Sequence, residues 1–370
     1  MQPKGQVRFI PKDRSLFFPT LKKRVESYFK EQNLSRNANA AMVLKTVILF
    51  SAYFGSLAAF IVFAPSFGLG MLLWAIMGLA MAGIGMSVMH DANHGAYSSN
   101  EKVNKYLSYT LNLIGGSVFN WRLQHNILHH TYTNIVHMDD DIADKLILRF
   151  SPHTETKKYH KLQYLYAFFF YAITTLYWVT AKDFMQFSRY TRNGVNNERK
   201  PGRNRLTLLR IAGAKLVYFS LFAGLPLALG LPWLHVLCGF LVMHLISGLV
   251  LTIIFQLAHT VEGTTHPLPC PQGKIENDWA IHQMNTTVNF ARGNKVLSWY
   301  VGGLNFQVEH HLFPRICHVH YPKIAPIVKA TAEEFGIPYL ENPTFSIALS
   351  SHVATLRRLG TLPDLDEAIG

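Results

Sequence analysis

At 370 residues and 49% hydrophobic content the chain is long enough to bury a large core, and its formal charge of +13 calls for anionic surroundings. The cations flank apolar stretches instead of forming one basic face, which argues against nucleic acid and for anionic lipid or an acidic protein partner. Three cysteines, Cys238, Cys270 and Cys317, form no paired motif, which argues against thiolate-zinc sites, iron–sulphur clusters and a disulfide scaffold.

Residues 1–40 are polar and basic and lack the apolar core and cleavage site of a secretory signal. Within them Leu21–Gln32 predicts a short interfacial helix with Phe17, Phe18, Tyr28 and Phe29 near the membrane. From Val47 to Met89, and again from Leu216 to Val261, there is no Lys, Arg, Asp or Glu. Two spans joined by a tight turn produce such runs naturally, and the turns fall at Pro65–Gly70 and Leu229–His235. Spans are therefore expected near 44–64, 71–89, 210–229 and 235–258, each close to the roughly 20 residues that cross about 30 Å of hydrocarbon. Lys and Arg lie before the first hairpin, between the hairpins and after the second, which places both termini and the middle of the chain in the cytoplasm. The apolar stretch Leu107–Val118 is too short to cross and is expected as a buried or interfacial helix.

The segment 160–182 is long enough to cross, but a crossing there would put the histidine clusters after 90 and after 307 on opposite faces. Its four tyrosines (Tyr164, Tyr166, Tyr171, Tyr177) and Trp178 suit the headgroup level, so it is expected in the interface. The expected fold is thus an all-α integral membrane protein with four transmembrane helices in two hairpins and a cytoplasmic, histidine-rich helical cap. Its parts are an N-terminal cytoplasmic or interfacial segment 1–40, a membrane domain 41–335 and a cytoplasmic tail 336–370 containing Pro338, Pro343 and Pro363.

Three clusters carry the chemistry. His90 closes the second span and His94 follows at helical spacing, so both rings share a face, with Asp91 and Asn93 placed to orient their free nitrogens. In the second cluster His125 and His129 share a face and His130 is turned by roughly 100°, towards a second metal. The neighbouring Asp139–Asp141 run and His137 read as a solvent-facing, charge-balancing turn, with support of the ligands as the alternative. The third cluster is Gln307, Glu309, His310 and His311, and His259 ends the fourth span on the face where His90 emerges.

His90, His94, His125, His129, His130, His259, His310 and His311 exceed the three or four protein ligands that one zinc takes, so two metals are expected. Copper and nickel also accept imidazole, but oxidising an acyl methylene beside a membrane calls for iron and oxygen. His153, His160, His235, His244, His266, His282, His318, His320 and His352 read as packing or surface groups, His244 satisfied by a helix–helix hydrogen bond. Asn277, Trp279, Gln283, Asn289, Trp299 and Asn305 are candidates for tunnel walls or for hydrogen bonds to ligand rings.

These clusters, at His90-x-x-x-His94, His125-x-x-x-His129-His130 and Gln307-x-x-His310-His311, resemble the membrane-bound fatty acid desaturases over most of 40–335. The resemblance implies four spans, a cytoplasmic cap holding two irons, and formation of a cis double bond with oxygen and two electrons. Gln307 stands where many relatives have histidine, as in front-end acyl desaturases and some sphingolipid desaturases, and its amide can ligate weakly or hold a metal-bound water. Front-end relatives often carry a cytochrome b5 domain with a His-Pro-Gly-Gly motif. None is present, so electrons are expected from a separate cytochrome b5-like protein or a ferredoxin with its reductase. Arg189, Arg192, Arg199, Lys200, Arg203, Arg205 and Arg210 could dock that donor or a substrate phosphate, or supply ordinary positive-inside charge.

The expected activity is that of a desaturase, front-end of the delta-6 or delta-5 type, on a linoleoyl-like acyl-CoA or acyl-lipid. A sphingolipid desaturase, a fatty acyl or alkane hydroxylase, and a non-catalytic metal- or haem-binding transport protein are the alternatives. The compartment is a bacterial inner membrane or endoplasmic reticulum, with the active site cytoplasmic.

Overall fold

The computed structural model describes residues 7–10, 15–142, 147–196 and 201–363. The described residues are helical apart from loops and two parallel pairs of two-residue strands, Arg8–Phe9 with Lys274–Ile275 and Asn289–Phe290 with Glu341–Asn342. They form two compact units, one of Met1–Asn37, Leu123–Ala167 and Ile254–Gly370, the other of Ala38–Arg122 and Phe168–Ile253.

The second of these is the apolar unit. Among the described residues five helices are long and apolar enough to cross a membrane: Ala40–Phe63, Phe67–Asn93, Lys158–Arg192, Gly202–Ala228 and Trp233–His259. The four expected spans coincide with four of them. The segment expected in the interface lies within the fifth, Lys158–Arg192, which is the least apolar of the set. Length and composition alone therefore do not reproduce the four-span count. Ala64 adopts a left-handed φ of 40° at the first hairpin turn and Gly230 one of 85° at the second, so each reversal is made within a few residues. Small residues let helices approach closely here: a Cβ built on Gly78 would lie 2.6 Å from the Met243 carbonyl, and one on Gly239 would enter the fully buried Trp74 ring. Outward side chains such as Val62, Phe63, Leu72 and Leu216 are exposed, as lipid-facing residues are.

His244 is satisfied as expected, with Nε2 against the Tyr218 hydroxyl at 3.0 Å and Nδ1 against Thr175 Oγ1 at 3.1 Å. Lys215, at the start of the second charge-free run, bonds Asp183 and the carbonyls of Gly115 and Trp178. A buried ammonium with three acceptors meets the demand that an unpaired one would leave open. Leu107–Val118 is not one helix. It is cut into the ends of Glu101–Ser108 and Thr110–Leu113, with left-handed Gly115 before Val118–Trp121.

In the other unit, Phe17–Glu31 places Phe17, Leu21, Val25 and Phe29 on one face at four-residue spacing. Of the residues expected near the membrane, Phe17 and Phe29 are instead buried in a core with Ile324, Ala325, Val328 and Ala332 of the helix Tyr321–Glu334, and Phe18 and Tyr28 pack half-buried against it. An amphipathic helix satisfies protein and membrane equally by pattern, and a second apolar helix decides the matter.

The C-terminal helix Phe345–Thr361 is tied to the end of Trp233–His259 by His352 Nδ1 to the Thr260 carbonyl at 2.7 Å and by the Glu262 amide to Ser351 Oγ at 2.9 Å. The helix Phe345–Thr361 is thus packed within this unit.

Candidate metal centre

Histidines from three separated segments converge within the first unit. His129 ends the helical segment Arg122–His129, His259 ends Trp233–His259, and His311 lies in the short helix Gln307–Leu312. Their ring centroids form a nearly equilateral triangle, with His129–His259 at 4.7 Å and both others at 4.9 Å. One nitrogen from each lies within 4.8 Å of the others. All three side chains are buried.

Each ring is turned by a bond on its other nitrogen. His129 Nδ1 donates to Asp139 Oδ2 at 3.1 Å, His259 Nδ1 to the Thr286 carbonyl at 3.3 Å and His311 Nδ1 to Gln283 Oε1 at 2.8 Å. A proton on Nδ1 leaves Nε2 as the lone-pair donor, and Nε2 of His129 and of His259 is buried without a hydrogen-bond partner. Buried nitrogens left in this state are what a cation completes, and the outer bonds are those that metal-ligating histidines make. Imidazole donors with carboxylate and carbonyl support fit divalent iron.

A second set, His130, His310 and His311, also brings ligand atoms within 4.8 Å, with ring centroids of His130 at 4.6 Å from His310 and 4.5 Å from His311. His310 Nδ1 meets the Tyr321 hydroxyl at 3.3 Å. The segment Arg122–His129 is a π-helix, not the α-helix expected from its spacing. Its i→i+5 register brings His125 over His130, their Nε2 atoms 3.3 Å apart, while His125 and His129 still stack at 5.3 Å. His130, expected to turn towards a second metal, thus meets His125 and groups with His310 and His311, while His129 groups with His259 and His311.

The Asp139–Asp141 turn is a correction. Asp139 and Asp140 are buried, and Asp139 accepts from the Asn134 and Asp141 amides as well as from His129. Burial works against both charges, and the mutual attraction overrides it, so His129 is held above its ordinary value and Asp139 below its own. His137, with a left-handed φ of 64°, turns the corner and is exposed.

Glu309 does not orient a ligand ring. Its carboxylate accepts from Asn289 Nδ2 at 2.8 Å and the Tyr339 hydroxyl at 2.7 Å, and Asn289 Oδ1 accepts the Val308 amide, so the three hold the histidine-bearing helix. Burial pushes the Glu309 carboxyl up, against the lowering by these two donors. Gln307 is buried, and its Oε1 has no hydrogen-bond partner among the described residues.

In the apolar unit His90 and His94 are buried with centroids 4.7 Å apart, both edge-on to Trp121 at 5.8 and 5.7 Å. Asp91 Oδ1 is 3.8 Å from His90 Nδ1, beyond hydrogen-bond reach. Asn93 is used elsewhere, donating to the Met89 carbonyl and accepting from Arg122 Nε, both at 2.9 Å. Of the basic stretch, Arg192, Arg203, Arg205 and Arg210 are exposed, Arg189 lies against Tyr190, and Arg199 and Lys200 fall outside the described residues.

Thr286, Tyr321 and Tyr339 carry supporting bonds that sequence reasoning missed. A backbone carbonyl leaves no residue signal, and a tyrosine, whether in a helix as Tyr321 or in a loop as Tyr339, reads as packing.

A sequence model of the family described as fatty acid desaturase matches residues 67–343. The chain is 39% identical over 350 residues to an sn-1 linoleoyl-lipid 6-desaturase of Synechocystis sp., covering 93% of this chain and 95% of that one. It is 36% identical over 355 residues to a protein of the same name from Arthrospira platensis, covering 94% of both. An acyl-lipid (8-3)-desaturase of Physcomitrium patens is 34% identical over 96% of this chain and 74% of its own. Convergent, Nδ1-anchored imidazoles and a family match spanning all three histidine clusters lead to one conclusion: this chain belongs to the fatty acid desaturase family and is a di-iron oxidoreductase.

Proposed function

We propose that the chain is a front-end desaturase that places a cis double bond at carbon 6 of a linoleoyl chain carried by a membrane lipid; two of its relatives are named sn-1 linoleoyl-lipid 6-desaturase. The proposed ligands are His90, His94, His125, His129, His130, His259, His310 and His311, with Gln307 reaching a metal through water. The His129–His259–His311 triangle, with its outward nitrogens already bonded and Nε2 of His129 and His259 left open, is the observation that carries the reading. The buried, partnerless Gln307 Oε1 supports a polar role at the same helix.

Bound iron supplies the oxidation: one O2, two electrons and two protons become two waters as two adjacent methylenes each lose a hydrogen. The residues do the rest. Asp139 and the Thr286 carbonyl fix ring tautomers. Phe255, whose ring packs against His129 and His259 at 5.0 and 4.9 Å, keeps the triangle dry on that side.

For topology we propose four spans, 44–64, 71–89, 210–229 and 235–258, with 160–182 in the interface and the centre and both termini cytoplasmic. An even number of crossings between the second and third clusters and the aromatic content of 160–182 support this. The exposed Arg192, Arg203, Arg205 and Arg210 suit an acidic donor, ferredoxin or cytochrome b5-like.

Expression in a host fed linoleate tests the reading. A trienoic product with its new bond between carbon 9 and the carboxyl end is expected in the lipid fraction. Hydroxylated chains, or a new bond only on the methyl side, would overturn it.

A further inference from the structure

Gln283 lies in the helix Trp279–Thr286, between the last long apolar helix and the third histidine cluster, and is fully buried. Its oxygen accepts from His311 Nδ1 at 2.8 Å and lies 2.9 Å from the Thr133 hydroxyl, whose single proton is shared with the His129 carbonyl at 2.7 Å. Its amide nitrogen donates to the His130 carbonyl at 3.2 Å, which Trp279 Nε1 also reaches at 3.1 Å. Both ends of the side chain are thus committed, one to a ring of the third cluster and the other to the backbone of the second.

The commitment has a direction. With the amide reversed, an N–H would face His311 Nδ1, and that nitrogen would have to accept. The proton would then move to Nε2, which could no longer ligate. The carbonyl of His130 would in turn face the amide oxygen. The His130 carbonyl therefore selects the amide orientation, and the amide selects the ring tautomer. We propose that Gln283 is the positioning residue for His311, setting which nitrogen is offered to the metal and tying its orientation to the backbone at His130. This rests on the metal-centre reading above. It adds the element that couples two of the three clusters, and it concerns a residue outside all three.

Loss of an outer hydrogen-bond partner to a ligand costs roughly 10–100-fold in metal affinity or activity. Two variants divide the possibilities. Gln283→Leu removes the acceptor and the donor at similar size. Gln283→Glu keeps an acceptor for His311 Nδ1 and loses the amide donor to His130. Full-length protein in detergent would be loaded with ferrous iron, its iron counted, and its Mössbauer spectrum compared with wild type. Expected are roughly 10–100-fold weaker iron retention against chelator and an altered spectrum in Gln283→Leu. Gln283→Glu should recover most of the retention and a near-native spectrum. Native retention and spectrum in Gln283→Leu would overturn the proposal. So would equal depletion in both variants, since the donor to His130 and not the acceptor for His311 would then matter. If Gln283→Leu does not accumulate, Gln283→Met, which also lacks the acceptor, takes its place: weakened retention with an altered spectrum supports the role, and native retention and spectrum refute it. Wild-type protein that binds no iron would instead refute the metal-centre reading itself, a different result from any of these.

Discussion

Replacing His129 with alanine is expected to abolish desaturation while the protein still inserts and can be purified. His129 is the vertex at which the most observations meet: it borders His259, His311, His125 and His130, its Nδ1 is held by Asp139, and its Nε2 is buried with no hydrogen-bond partner. Alanine removes an imidazole from the triangle and leaves the buried Asp139 carboxylate without its Nδ1–H donor. Asp139→Asn is the graded control. The amide can still accept from His129 Nδ1, but the charge is gone, and a loss of roughly 10–100-fold is expected, well short of abolition. Lipid analysis of expressing cells gives turnover, and gel filtration of the extracted protein gives folding. Normal product from a well-folded His129→Ala would remove His129 from the ligand set.

The second large effect is on stability. Arg149 is fully buried, and its guanidinium donates to five carbonyls: Thr154, Pro152, Leu359, Leu362 and, at 3.4 Å, Pro363. Arginine offers five donors in a rigid fork, and here they gather a loop at 152–154 and the end of the C-terminal helix around one side chain. Gln163 closes the arrangement by bonding the Arg149 backbone and the Leu356 carbonyl. Arg149→Met keeps the volume and leaves those carbonyls without their donor, at an expected cost of about 3–5 kcal/mol. The lost protection should be confined to the C-terminal helix and its neighbours in hydrogen exchange. Unchanged exchange of Phe345–Thr361 would show that apolar packing alone holds the helix.

The histidine clusters were legible because their signal is composition at fixed spacing, and spacing survives whatever helix type results. Four of the five long apolar helices were legible for a similar reason, since two such helices joined by a tight turn leave a long run without charge in a chain. What failed depends on burial and hydrogen-bond register. The π-register of Arg122–His129 carries no residue signature that separates it from an α-helix, yet it decides that His125 meets His130. Asp139 looked solvated because three consecutive acids usually are. The His129 ring is what makes its burial tolerable, and that ring is ten residues away. Phe17, Leu21, Val25 and Phe29 form an apolar stripe whose partner, a helix some 300 residues on, is invisible to a local reading. Glu309 was placed correctly beside the ligands, but Asn289 and Tyr339, and not a ligand ring, take up its carboxylate.

Iron counting joined to Mössbauer spectroscopy on anaerobically reconstituted full-length protein puts the whole scheme to its most direct trial. Eight imidazoles at three or four per metal should give about two iron ions per chain, with the iron content reduced in His129→Ala. A single uncoupled iron, a haem, or protein that folds and stays metal-free would mean that these histidines serve something other than a dinuclear oxidation centre.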